Sequence, residues 1–277
     1  MCTIVLLCRA HARYPLVVAA NRDEIYARPA AAPRVLPGTG GAVGGVDLNA
    51  GGSWLAVHPR GLFAALTNQP LWQAAGAAVP PGGLALERAP ADPSLRSRGQ
   101  IVQGAIGLGS VGAIRAWLET LDVAAYNPFN LVFGDAATAQ VAYGRHGAPR
   151  VVVEPVPAGL HVLPNGRLDA PLPKVERVRA RAAALVAWAE GGGPFDEVVP
   201  TLVRLLADHE QPTSPPPADD PLTPELRRAL SAVCIHTAFY GTRSATLLAL
   251  GASGEVDYRF ADGPPCRTDF APVSLGA

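Results

Sequence analysis

An excess of charge of either sign is missing from this 277-residue sequence: Lys and Arg number 23, Asp and Glu number 23, and the formal net charge is zero. That balance excludes the basic footprint of a nucleic-acid or anionic-membrane binder and suits a small neutral or amphipathic ligand. Cysteine is scarce. Cys2, Cys8, Cys234 and Cys266 form no CxxC pair, have no spacing typical of zinc, and are too few for a disulfide scaffold, which points to a reducing, cytoplasmic setting. The six histidines are scattered, with no pair at helical ligand spacing, so neither a metal site nor any other cofactor is expected. Cys234-Ile235-His236, read as part of a strand, puts two side chains on one face and reads as a satisfied core or surface pair ahead of a ligand site. No apolar run approaches the ~20 residues of a transmembrane segment. Ile4 to Cys8 is apolar, but no basic residue precedes it and Arg9, His11 and Arg13 interrupt it, unlike a secretion signal. The stretch from Gly38 to Gly45 lacks the Lys-Ser/Thr of a nucleotide loop, and no internal repeat is present.

What is present is core. With 49% hydrophobic residues, the chain is long enough for one α+β domain spanning 1–277. Ile4 to Leu7 and Leu16 to Ala20 predict a hairpin, and Ser53 to Val57 with Leu62 to Thr67 a second. Ala27 to Gly45 and Gln69 to Pro93, rich in Ala, Pro and Gly, read as long surface loops. Helical patterning runs from Arg98 to Leu121, interrupted by Gly107 and Gly109. Phe129 to Phe133, Gln140 to Arg145, Arg150 to Glu154 and Leu160 to Leu163 have the spacing of an antiparallel meander. Lys174 to Glu190 and Pro194 to Asp208 predict helices, Glu210 to Asp220 an exposed connection, and Ser244 to Leu250 with Glu255 to Phe260 a last strand pair. Strands in antiparallel pairs separated by helix pairs imply helices packed outside antiparallel sheets.

Two clusters carry chemistry. Cys2 is small enough for Met1 to be removed by a methionine aminopeptidase. The α-amine so exposed, with an ordinary pKa of about 7.7–8.0, can take the thiol proton, so nucleophile and base would belong to one residue. Position alone leaves a second reading open, a small residue that happens to begin a strand. Asn21-Arg22-Asp23-Glu24 follows the second apolar run abruptly, where a hairpin brings it near residue 2. Arg22 can hold a thiolate or a substrate carbonyl, and Asp23 or Glu24 can hold the α-ammonium; the other reading is a solvated polar turn. Trp54 is open between lining a pocket and filling the core. Asn68 and Asn165, each close to a proline, read by themselves as turn residues.

Asn21-Arg22-Asp23-Glu24 and the opening Met1-Cys2-Thr3 resemble the NRDE family, whose animal members are called transport and Golgi organisation proteins. The resemblance extends along nearly the whole chain. It includes Gly51-Gly52-Ser53-Trp54-Leu55, the run from Gly61 to Asn68, the run from Phe129 to Asp135, Leu163-Pro164-Asn165-Gly166, Leu172-Pro173-Lys174-Val175 and Tyr240-Gly241-Thr242-Arg243-Ser244. That family is in turn similar to N-terminal nucleophile (Ntn) hydrolases of the bile-salt hydrolase, penicillin V acylase and acid ceramidase type. The resemblance implies a four-layer αββα sandwich with an N-terminal cysteine nucleophile assisted by an arginine and an aspartate after the second strand and by two asparagines. It makes Asn68 and Asn165 candidates for oxyanion or substrate contacts and Arg243 a candidate near the thiolate. In those hydrolases the arginine and aspartate are separated by two residues, whereas Arg22 and Asp23 are adjacent, so either Asn21 or Arg22 can take the arginine's place.

Two functions from different classes follow. One is a hydrolase or acyltransferase cleaving a linear amide through an acyl-thioester on Cys2. The other, implied by the resemblance, is a non-enzymatic protein that binds and moves haem, acyl-CoA or lipid, with Arg22 or Arg243 holding the ligand's acidic groups; no c-type attachment motif is present, so any haem would be noncovalent.

Overall fold

In the computed structural model, described for residues 2–69, 71–74, 86–89, 92–145, 147–214 and 222–276, the first hairpin is the centre of a larger sheet. Strand β1 (Thr3–Cys8) pairs with β2 (Leu16–Ile25), and the chain continues through β3 (Ala30–Val35), β4 (Val43–Asp47), β5 (Leu55–His58), β6 (Leu62–Asn68), β7 (Leu71–Ala74) and β8 (Leu86–Ala89). Helices α1 (Gly99–Gly107) and α2 (Val111–Glu119) lead to β9 (Phe129–Gly134), β10 (Ala139–Gly144), β11 (Val152–Pro155) and β12 (Gly159–Leu163). Helices α3 (Pro173–Arg181), α4 (Ala183–Gly191), α5 (Phe195–Leu206) and α6 (Pro224–Ala229) precede β13 (Tyr240–Leu250), β14 (Val256–Ala261) and β15 (Ala271–Pro272). One six-stranded sheet has the order β12-β1-β2-β13-β14-β15 and one seven-stranded sheet the order β11-β10-β9-β6-β5-β4-β3, with antiparallel neighbours throughout; β7 and β8 form a separate ribbon.

The side-chain period of two sorts these strands into layers. Ile4, Leu6, Leu16 and Val18 of the first sheet meet Leu55, Val57, Phe63, Val132 and Tyr143 of the second in a shared core. The alternate residues Val5, Leu7, Val17 and Ala19 face Val175, Val178, Leu185, Val198 and Leu202 on α3, α4 and α5. On the far side of the second sheet, Leu62, Ala64, Leu131 and Phe133 pack on Ile101, Ile106, Ile114 and Leu118 of α1 and α2. Both faces of each central strand are therefore covered, which explains unbroken apolar runs such as Ile4–Leu7 where a half-exposed strand would alternate. The architecture is the four-layer αββα sandwich of two antiparallel sheets flanked by helices. Among the described residues no helix is long and apolar enough to cross a membrane.

The differences from the sequence reading have local causes. Ala27 to Gly45 is not a loop: it contains β3 and the start of β4. β3 is an edge strand with no buried side chain, so it needs no apolar period, and an edge tolerates Pro33 at its register shift between Ala31 and Arg34. Of Gln69 to Pro93, residues 71–74 and 86–89 form the β7–β8 ribbon, while 70, 75–85 and 90–91 lie outside the described residues. The helical stretch from Arg98 to Leu121 is two helices, with Gly109 at φ +75° and the Ser110 hydroxyl capping Ala113 N–H at the start of α2. The predicted helix from Lys174 to Glu190 breaks at Ala182 into α3 and α4. β13 begins at Tyr240, four residues before the expected Ser244, and α6 and β15 were not anticipated. Of the Glu210–Asp220 connection, residues 215–220 lie outside the described residues.

Candidate active site

The NRDE residues are not a turn. They continue β2, paired with β1 (Thr3 opposite Asn21) and with β13 (Asn21, Arg22 and Asp23 opposite Ala245, Ser244 and Thr242), and Asn21, Arg22 and Asp23 are all buried. Because the strand alternates, its side chains part company. Arg22 and Glu24 point with Cys2 toward the space between the sheets, whereas Asn21 and Asp23 point with Thr3 toward the helices.

Cys2, Arg22, Glu24, Trp54 and Asn68 line one cavity of about 510 Å³, opening where β1 begins and β6 ends. The Arg22 guanidinium lies 4.2 Å above the Trp54 ring, which also packs on the shared core, so pocket lining and core are both true of this tryptophan. The loop before β5 is fixed by a close backbone approach: Gly52, at φ +82°, leaves only 2.4 Å between a Cβ and the Gly99 carbonyl carbon, and Ser53 N–H donates to Gly99 O at 3.1 Å. Across the cavity, Arg28 is held by Asp47 at 2.7 Å, and Arg98 donates to Pro128 O at 3.1 Å. Among the described residues neither Arg22 nor Arg98 has a carboxylate within ion-pair distance. Burial pulls both guanidinium groups down from their ordinary range, and nearby Cys2 and Glu24 pull them back up; arginine keeps its charge.

Behind Cys2 lies a second, buried charge cluster. Asp23 accepts from Thr242 Oγ1 at 2.6 Å, and Thr242 Oγ1 in turn accepts from Ile235 N–H at 2.9 Å. Lys174, in the first turn of α3, is 3% exposed and reaches Thr3 Oγ1 at 3.4 Å. Burial raises the Asp23 carboxyl and lowers the Lys174 ammonium, each opposed by the charge of the other. Burial also raises the Cys2 thiol, with the Asp23 carboxylate adding to it, while the Asp23 backbone and the Arg22 charge draw the value down. The resting thiol is therefore protonated, and a base must remove its proton before it can attack.

Not every predicted residue reaches this cavity. Asn21 donates both amide hydrogens to main-chain carbonyls, Leu206 O at the end of α5 and Val233 O, at 2.9 Å each, so it joins the sheet to the helical layer. Arg22, not Asn21, stands beside the thiol. Asn165 donates to the Asn68 carbonyl at 2.5 Å and does not line the cavity, so it positions Asn68. Its loop is pinned by buried Asn130, whose amide donates to Thr67 Oγ1 at 2.9 Å and Gly166 O at 2.7 Å. Arg243 sits at the bulge between Thr242 and Ser244, donates to Tyr26 O, and lies outside the cavity lining. The sequence reading missed Lys174, Arg98, Arg28 and Thr242. Lys174 and Thr242 left a trace there only as members of the quoted motifs Leu172-Pro173-Lys174-Val175 and Tyr240-Gly241-Thr242-Arg243-Ser244; Arg98 and Arg28 left none.

Layer order, sheet pairing and the placement of Cys2 at the start of a central strand define an Ntn-hydrolase-like sandwich. The fold is shared with two mutants of the conjugated bile acid hydrolase from Clostridium perfringens: one at TM-score 0.57 and 11% identity, covering 99% of this chain and 94% of that one, the other at TM-score 0.55 and 9% identity, covering 99% and 97%. Within that fold, residues 1–259 match the family described as Transport and Golgi organisation 2, and the chain belongs to that family. The Transport and Golgi organization protein 2 homolog of Bos taurus is 30% identical over 260 residues, and the Mus musculus homolog 28% identical over 260; each match spans 88% of this chain and 85% of the relative.

Proposed function

We propose that the whole chain acts as an N-terminal cysteine hydrolase or acyltransferase on a small amphipathic linear amide. The observation that carries this reading is the seating of Cys2 in the cavity wall, between the Arg22–Trp54 stack and the buried Asp23–Lys174 cluster. With Met1 removed, the α-amine of Cys2 takes the thiol proton and the sulfur attacks the amide carbonyl carbon. The Asn68 side-chain amide donates to the oxyanion of the tetrahedral intermediate, and Asp23 holds the α-ammonium. Collapse breaks the C–N bond, the departing amine takes the proton from the α-ammonium, and a water or an acceptor amine then releases the acyl group from the thioester. Arg22 and Arg98, with no carboxylate of the described residues in ion-pair reach, suit an anionic group on the substrate. The free thiols suit a reducing compartment, the cytoplasm. Cys2→Ala should lower turnover of a model N-acyl amide by about 10⁴-fold or more with the fold retained; full turnover in that variant sinks the reading.

A second reading is favoured by the same two arginines and the Trp54 face: non-enzymatic binding and trafficking of haem, acyl-CoA or lipid, whose carboxylate or phosphate groups they would hold. Haemin titration followed at the Soret band separates the two. Binding that survives Cys2→Ala and fails in Arg22→Ala supports carriage, and no shift at micromolar haemin removes haem from the reading.

A further inference from the structure

Away from the cavity, the end of α5, the connection before β13 and the loop after β14 bring together His209, Cys234, His236 and Cys266. Their candidate ligand atoms all lie within 4.8 Å of one another. Cys234 Sγ and Cys266 Sγ are 3.9 Å apart, far beyond the ~2.05 Å of a disulfide, and both are free thiols. His236 Nε2 lies 3.6 Å from Cys234 Sγ and 3.3 Å from Cys266 Sγ. A tetrahedral zinc ion with Zn–S of ~2.3 Å and Zn–N of ~2.0–2.1 Å requires ligand edges of about 3.8 Å between sulfurs and about 3.6 Å between sulfur and nitrogen. Three side chains thus already stand close to the edges of one tetrahedron. His209, its ring centroid 4.9 Å from that of His236, is placed for the fourth corner. In the tautomer that donates Nδ1–H to Cys234 O at 3.4 Å, its Nε2 carries the free lone pair, the kind of second-layer bond that orients a metal-binding histidine.

We propose that His209, Cys234, His236 and Cys266 form a closed structural site for Zn²⁺. Binding displaces two thiol protons to solvent, so two thiolates neutralise the ion and the half-buried site carries no net charge. Four protein ligands leave no open position, which makes the ion structural and separate from the chemistry at Cys2. The clip ties together three segments distant in sequence. The middle one also carries Val233 O, the acceptor for Asn21, and Ile235, whose N–H and C=O both bond Thr242, the residue that donates to Asp23. Zinc therefore steadies the far side of the Asp23 cluster without touching it.

The test is metal analysis of the full-length protein prepared under thiol reductant and without chelator, followed by replacement with Co²⁺. One zinc per chain is expected, with the intense visible bands and near-ultraviolet thiolate charge transfer of tetrahedral S₂N₂ cobalt. Cys2→Ala should keep this spectrum. Cys266→Ser and His209→Ala, at partly exposed positions that leave the core intact, should each weaken zinc binding by at least tenfold. Stripping the zinc with a chelator should lower Tm by about 5 °C or more. The proposal is overturned by a protein that binds no zinc at micromolar concentration, by a cobalt spectrum without thiolate charge transfer, by zinc binding that survives both substitutions, or by a Cys234–Cys266 disulfide in the reduced preparation. None of these outcomes depends on whether Cys2 is catalytic.

Discussion

At the scale of single residues, strand alternation divides the NRDE segment into two jobs that its sequence presents as one. Arg22 faces the cavity with Cys2, while Asn21 turns to the helices and satisfies the carbonyls of Leu206 and Val233. Asn21→Ala would strand both carbonyls in a buried setting, at a cost of about 2–4 kcal/mol. For a chain of this length that is a drop on the order of 5–10 °C in Tm. Calorimetry should record the drop while activity at low temperature persists; an unchanged Tm with activity lost would make Asn21 a catalytic group instead. Cys2 gives a pH signature. Burial raises its thiol above the ordinary value, so the reactive thiolate is the minor form at neutral pH and gains as pH rises. Alkylation by iodoacetamide, mapped to Cys2, should accelerate with rising pH through a midpoint above that of an ordinary cysteine; a midpoint below that of an ordinary cysteine would mean that the cations, not burial, govern the sulfur.

At the scale of elements, the loop before β5 decides the shape of the cavity. Gly45, in β4, has ordinary backbone angles but no room, since a Cβ there would fall 2.1 Å from the Trp54 ring. Gly45→Ala should displace the indole, unseat the Arg22 guanidinium from its face and weaken substrate or ligand binding about tenfold, between the exposed and the desolvated worth of a cation–π contact. Because the ring can swing where a main-chain carbonyl cannot, folding should survive, and binding measurements on the soluble variant check it. The central strands were legible in the sequence because apolar runs such as Ile4–Leu7 and Leu62–Leu66 admit no other reading beside their turn signals. Edge strand β3 was not, since a strand with one open face and an exposed surface needs neither apolar residues nor a period. The breaks at Gly109 and Ala182 were half legible: glycine announces a stop, whereas an alanine at a helix junction announces nothing.

At the scale of the whole molecule, two sheets and two helical layers bring the start of β1, the end of β6 and the start of α1 to one cavity, and set Lys174 beneath it from α3. Tertiary convergence of this kind is where sequence reading stops. Cys2, Arg22, Trp54 and Asn68, which line the cavity together, were marked by position, by the NRDE segment and by the family resemblance, but Arg98 and Lys174 sit in ordinary helix starts. The pairing of Cys234 with Cys266 and His209 exists only once α5, β13 and β14 are packed, so spacing arguments passed over it. The cavity, the buried charge cluster behind it and the free thiol between them form one arrangement, whose purpose depends on whether Cys2 heads the mature chain. Intact-protein mass spectrometry after brief exposure to an activated acyl ester asks this directly. The expected result is a chain lacking Met1 that carries one acyl group on Cys2, lost on standing in water and absent from Cys2→Ala. A chain that retains Met1, or acylation that bypasses Cys2, would contradict the catalytic account and leave the cavity as a binding site.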